Sequence, residues 1–248
     1  MSRIRLLNTE VDNLTMAEAV DAVDRLIQKR AVANIVTPNL DHIVMLEKDE
    51  EFQKIYRDAA LVLTDGQPLV WYSKLKGTPI VEKVSGSDLF PEVCAMCARK
   101  GYSVFFFGAA EGVAEKAAEV LQKRYPGLKV AGVLSPVFGF EKNPEQTEQY
   151  VGLIREAKPD VLAIALGTPK GEKFAYRNLK ALGVPAVLNI GATFDFIAGK
   201  VQRAPKRMSR CGLEWLYRAM QDPKRLVRRY WNDIKMVIPL MWKYRNNK

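Results

Sequence analysis

The chain has 248 residues, 48% hydrophobic and 27% charged, enough for the core of one large α/β domain or two small ones. Its net charge of +10 is unevenly spread: residues 200–248 hold 14 Lys and Arg against three acids, while residues 1–199 hold 24 against 25. No run approaches the ~20 apolar residues that span a bilayer, the start MSRIRLLNTEVDN lacks a signal-peptide core, and three cysteines build no disulfide framework, so a cytoplasmic location is expected.

Short β-type runs alternate with helical patterns along the first 199 residues. Ile4–Leu7 leads to a helix announced by the capping box Thr15-x-x-Glu18. Ala33–Thr37 runs into Pro38-Asn39 and a helical stretch, and Leu61–Thr64 ends at Asp65-Gly66-Gln67-Pro68. A helix capped by Ser87 and reaching Lys100 precedes Ser103–Phe107, a helix to Tyr125, and Lys129–Leu134. Within that helix Cys94 and Cys97 lie three apart on one apolar face, and no second pair completes a zinc site, so they read as core. Val161–Leu166 and Ala186–Ile190 follow, each trailed by a glycine-containing loop and another helix. Continuous apolar strands alternating with helices predict a Rossmann-like, mostly parallel sheet covered on both faces. Past Gly199 no strand follows, and the boundary of a body (1–199) and an appendage (200–248) is placed there. The appendage reads as two helical stretches, 206–221 and 223–244. In the second, Leu226, Tyr230, Ile234, Val237 and Met241 recur at helical spacing, and Pro239 is expected to kink it.

Ligands of open parallel sheets bind beyond the carboxyl ends of the strands. Five such ends are Thr37-Pro38-Asn39, Thr64-Asp65-Gly66, the 108–112 loop, the 167–172 loop and the 189–193 loop. Three of the five have glycine where the strand stops, which admits close backbone approach, and each is followed by a helix N-terminus suited to phosphate. Neither G-x-G-x-x-G nor a P-loop is present, and a nucleotide diphosphate is the favoured guest. Asp65 can serve as a general base with Thr37 and Asn39 beside it, or it can cap the helix that starts near Pro68. His42, the single histidine, reads more readily as a cap or packed residue than as a proton shuttle. The absence of a D-x-D triplet speaks against a metal-clamped nucleotide-sugar.

In the appendage Trp215, Leu216, Tyr217, Trp231 and Trp242 are interleaved with arginines, a composition suited to an anionic membrane surface. Nucleic acid would also satisfy the charge, but no nucleic-acid motif accompanies it.

With these residues in view, the chain resembles the WecG/TagA/CpsF family of bacterial glycosyltransferases over almost its whole length. The resemblance rests on TPNLDHIV (37–44), TDGQPLVW (64–71), VSGSDL (84–89), FFFGAAEG (105–112), LGTPKGEKF (166–174), NIGATFDFIAG (189–199) and the stretch 201–230. It implies metal-free, inverting transfer of N-acetylmannosamine or a related sugar from UDP to a polyprenyl-diphosphate-linked N-acetylglucosamine at the inner membrane face, feeding wall teichoic acid or surface polysaccharide. No cofactor is implied, and self-association is common in such families. It assigns the base to Asp65, neighbouring polar roles to Thr37 and Asn39, a place near the nucleotide base to Asp195, and diphosphate contacts to Arg218, Arg225 and Arg228. Gly108, Gly167, Pro169, Lys170, Glu172, Asn189, Gly191 and Ala192, with Lys83 and Arg203, complete the implied substrate-binding set. Two positions depart from the family pattern. Gly171 stands where glutamine is usual, and Lys83 where arginine is usual, a point charge for a bidentate fork. These departures leave a non-catalytic UDP-sugar or lipid-pyrophosphate binding protein as the rival reading.

Overall fold

The computed structural model describes residues 3–205, 208, 214–221 and 223–245, without the side chains of residues 214, 215, 218, 224–226, 229, 232 and 233. Six parallel strands form the central sheet: β3 (Ala33–Val36), β4 (Leu61–Val62), β5 (Ser103–Gly108), β6 (Lys129–Leu134), β7 (Val161–Ala165) and β8 (Ala186–Asn189). Their spatial order is β4-β3-β8-β7-β5-β6. The predicted parallel α/β sheet is therefore present.

The strand pleat sorts side chains between two faces. Val104, Phe106, Ala163 and Leu188 join a cluster with α1 (Met16–Gln28), α5 (Gly86–Lys100), α6 (Val113–Arg124) and α9 (Thr193–Ile197). Their neighbours Phe105, Phe107, Leu162, Ile164 and Val187 join the opposite cluster with α7 (Pro144–Ala157) and α8 (Lys170–Leu182). Cys94 and Cys97 are buried in the first cluster, as expected, and burial pushes the Cys97 thiol up to about 12. A third cluster joins Val36 and Val62 to α2 (Leu40–Leu46), α3 (Glu50–Asp58) and α4 (Gln67–Leu75).

Three boundaries differ from expectation. Ile4–Leu7 is half of an antiparallel hairpin, β1 (Arg3–Leu6) with β2 (Thr9–Asp12). The charged residues of β2 hid it, yet Asp12 is buried because it accepts from the Val62 N–H at 2.9 Å and pairs with Arg3 at 3.3 Å. The cap of α5 is Ser85 rather than Ser87: its extended backbone precedes the first turn, and its hydroxyl accepts from the Asp88 N–H. Residues 63–64 continue the chain beyond the short β4 without strand pairing, although the Leu63 N–H still donates to Val36 O.

In the appendage, one helix spans Glu214–Gln221 and the terminal helix Pro223–Lys243 continues through Pro239. Leu240 is buried among Leu6, Leu7, Val36 and Ile43, and Lys243 Nζ reaches Glu47 at 2.5 Å. The basic appendage is thus anchored to the body at its far end by apolar burial.

Gly108 closes β5 with φ +114°, and a Cβ there would stand 2.5 Å from Ala165 O. Gly108→Ala combines a left-handed backbone with a backbone clash and is expected to cost about 2–5 kcal/mol. The check is a fall in melting temperature of roughly 5–15 °C, scaled for a chain of this size.

Candidate active site

The carboxyl ends of β3, β4, β8 and β7 lie side by side, and backbone hydrogen bonds continue past the strands. The Asp65 N–H donates to Pro38 O at 2.8 Å, Val84 N–H to Thr64 O at 2.9 Å, and Ile190 N–H to Ile164 O at 3.0 Å. Gly86 allows α5 to close in, since a Cβ there would stand 3.4 Å from Thr37 Oγ1 and 3.2 Å from Ile190 Cα. Thr37, Asn39, Asp65 and Asn189 therefore converge on one edge.

Asp65 is half-buried there, and the helix after it is capped by Gly66, which supplies no side-chain hydrogen bond. The capping role open to Asp65 in the sequence is not the one it plays. Asn39 does cap α2, accepting from the Asp41 and His42 N–H groups, while His42 Nδ1 accepts from the Asn39 N–H at 2.9 Å. That bond places the imidazole proton on Nε2, which donates to Thr168 Oγ1 at 2.7 Å. The Thr168 hydroxyl in turn donates to Glu172 Oε1 at 2.9 Å. His42 is thus both cap and packed residue, stacked on Phe52.

Glu172 is almost wholly buried. Burial opposes its ionisation, but bonds from His42 and Thr168 outweigh it and hold the carboxyl below its ordinary value. Tyr56 packs beside His42, ring centroids 6.2 Å apart, and burial, then the charges of Glu172 and Asp65, push its phenol well up. Glu172 Oε2, Tyr56 Oη, Thr64 Oγ1 and Asn189 Oδ1 are buried with no hydrogen-bond partner among the described residues. Orphaned polar atoms concentrated at one sheet edge mark a place where a polar ligand completes the bonding. Thr64 and Thr168 stand in loops the sequence places at strand ends but carry no role there, and Tyr56 is not singled out, because an isolated hydroxyl carries no spacing signal.

Other predicted residues are distributed around this edge. Asn189 donates to Asn34 Oδ1 at 2.8 Å, tying β8 to β3, while Gly191 is exposed and Ala192 half-buried just beyond. Gly171 is buried, and a side chain there would meet Ile164 Cγ2 at 3.4 Å and Asn189 Oδ1 at 3.5 Å. Position 171 thus faces the sheet beside Asn189. Gly167 is exposed, and the cis Thr168–Pro169 peptide leads into α8, whose cap Pro169 gives no side-chain bond. The first N–H groups of α4 meet no side-chain cap and are donors for an anion, whereas in α8 the Gly171 N–H already donates to Gly167 O at 2.9 Å and Glu172 stands in the first turn.

The cations are placed differently from a simple phosphate cradle. Lys170 pairs with Glu141 at 3.1 Å and lies over the Phe138 ring. Lys83 and Arg203 meet at Asp88, 3.6 and 2.7 Å away, so the first residues of the appendage are clamped to the start of α5. Burial raises the Asp88 pKa, but Ser85, Arg203 and Lys83 together hold it below its usual value. Asp195 is 3.9 Å from Lys200, and its carbonyl accepts from the Lys200 and Val201 N–H groups. Arg228 is exposed on the terminal helix, and the side chains of Arg218 and Arg225 lie outside the described residues. Gly108 is the last residue of β5, paired with Ala165 at the carboxyl end of β7 and packed close against it.

Residues 4–248 match the model of the WecG/TagA/CpsF glycosyl transferase family. The chain belongs to that family. Its relatives include an N-acetylglucosaminyldiphosphoundecaprenol N-acetyl-β-D-mannosaminyltransferase of Bacillus spizizenii, 30% identical over 78% of this chain and 73% of the relative. Proteins of the same name from Bacillus subtilis and Staphylococcus aureus are 28% and 26% identical. They are covered to 81% and 88%, over 86% and 92% of this chain. In this glycosyltransferase, Asp65 is the half-buried carboxylate at the sheet edge, and its charge and that of Glu172, the end of the His42–Thr168–Glu172 chain, both act on the Tyr56 phenol.

Thr168→Val removes the hydroxyl shared by His42 and Glu172 and is expected to cost about 1–3 kcal/mol, read as a lower urea midpoint. Glu172 has a folded pKa below 4.5, so its stabilisation is present above about pH 4.5 and lost as the pH falls through the lower folded value. Glu172→Gln should flatten that acid loss in a plot of stability against pH.

Proposed function

We propose that the chain transfers N-acetylmannosamine or a related hexose from a UDP-sugar to N-acetylglucosamine linked to a polyprenyl diphosphate, with inversion and without a metal. The relatives' names supply the acceptor class, and the position of Asp65 supports the chemistry most directly. Asp65 takes the proton of the acceptor hydroxyl while that oxygen forms its bond to the anomeric carbon from the face opposite the diphosphate. The bond from the anomeric carbon to the UDP oxygen breaks, and UDP leaves with the electron pair. Thr37 and Asn39 orient the sugars. The open N–H groups of α4 and the basic side chains of the appendage take up the leaving charge. Among the described residues no group of three His, Cys, Asp or Glu side chains is arranged to hold a metal, and no helix is long and apolar enough to cross a membrane. The basic appendage would hold the enzyme to anionic lipid at the inner face, each cation near the surface contributing about 1 kcal/mol. The product serves wall teichoic acid or surface polysaccharide synthesis.

The test is UDP release across a panel of UDP-sugars with a soluble lipid-diphosphate-linked N-acetylglucosamine. Turnover is expected with one donor and is expected to survive EDTA. Asp65→Asn should lower kcat by about 10²–10⁴-fold while UDP binding by calorimetry persists. Unchanged turnover in that variant would remove Asp65 from the base role.

A further inference from the structure

A groove of about 280 Å³ runs between α4 and the terminal helix, small for a ligand site but continuous with open surface. Its described walls include Leu40, Pro68, Trp71, Leu75, Ile234 and Ile238, and no charged side chain contributes to them. Trp71 is 46% exposed, Leu75 83%, Ile234 43% and Ile238 61%. An apolar surface of this continuity, left open on a protein, marks an interaction site.

Two sequence adjacencies set where the groove begins. Leu40 directly follows Asn39, and Pro68 lies three residues after Asp65, so its inner end adjoins the loops that carry the proposed chemistry. A substrate whose diphosphate-linked sugar meets Asp65 must lead its hydrocarbon away from that point, and this groove offers an apolar path there. We infer that the groove between α4 and the terminal helix seats the first isoprenoid units of the acceptor's polyprenyl chain. The inference rests on the proposed acceptor class and adds a subsite to it. The body supplies one wall through α4 and the appendage the other, which explains why Leu240 and Lys243 anchor the terminal helix to the body. Trp231 and Trp242, 59% and 70% exposed on the same helix and outside the groove, remain available for bilayer contact.

The experiment uses the full chain in detergent, without membranes, and compares kcat/KM for methyl-diphosphate and farnesyl-diphosphate acceptors bearing the same N-acetylglucosamine. Burial of apolar chain in the groove is expected to favour the farnesyl acceptor by about 10–100-fold. Ile238→Ser and Leu75→Ser, at exposed positions where folding is not at stake, should reduce that ratio several-fold, whereas Leu153→Ser on α7 should keep it. Equal kcat/KM for the two acceptors would overturn the inference and leave the transferase reading intact. So would an unchanged ratio in Ile238→Ser accompanied by lost liposome binding or an altered oligomeric mass, which would give the groove to the bilayer or to a second copy. Calorimetry with farnesyl diphosphate separates the two readings from the other side. Binding weakened by Ile238→Ser, without sugar transfer on any donor, would uphold the groove and reject the transferase reading.

Discussion

The carboxyl edge of the sheet is organised by hydrogen bonds that outlast the strands. Pro38 O holds the Asp65 N–H, Thr64 O holds the Val84 N–H, and Ile164 O holds the Ile190 N–H. These bonds keep four loops in register after regular pairing has ended, satisfying backbone groups that would otherwise be buried alone. The His42–Thr168–Glu172 chain adds a side-chain crosslink between α2, which follows β3, and the loop and helix α8 that follow β7. The base role proposed for Asp65 requires that its surroundings be held in place. Here that rigidity comes from backbone and buried side chains together.

The chain separates two physical tasks. The body makes a polar, well-bonded edge, with unpartnered buried atoms on Glu172, on Tyr56, whose phenol feels the charges of Glu172 and Asp65, and on Thr64 next to Asp65 in the chain. The appendage is basic and rich in tryptophan, but it is not independent of the body. Arg203 fastens its beginning to Asp88, and Leu240, Lys243 and Tyr244 fasten its end to the hairpin side and to Glu47. Held at both ends, the appendage can complete a site without contributing a strand.

Composition is a poor guide to which cations face a ligand. Lys170, Lys83 and Arg203 all belong to the substrate-binding set that the family resemblance implies, and each has an acid of the same chain beside it: Glu141 for the first and Asp88 for the other two. Pairing of this kind positions loops as well as charge. The Asp88 cluster joins the start of α5 to the start of the appendage, so a family motif that reads as a binding loop also serves as the hinge-point of the architecture.

By itself the sequence determined the alternation of strands and helices, the doubly covered parallel sheet, the buried cysteines and the uneven charge. All of these depend on local periodicity and counting. It also brought Thr37, Asn39 and Asp65 to strand ends, since ligand loops in such sheets follow the strands. Tertiary structure decided whether Asp65 caps a helix, a choice that rested on Gly66 standing at the cap. It also decided that Asp12 belongs to a hidden strand, that His42 meets Thr168, 126 residues away, and through it Glu172, and that α4 and the terminal helix share an apolar groove. Each of these depends on partners distant in sequence, and no spacing rule within a segment encodes which distant side chain will meet it.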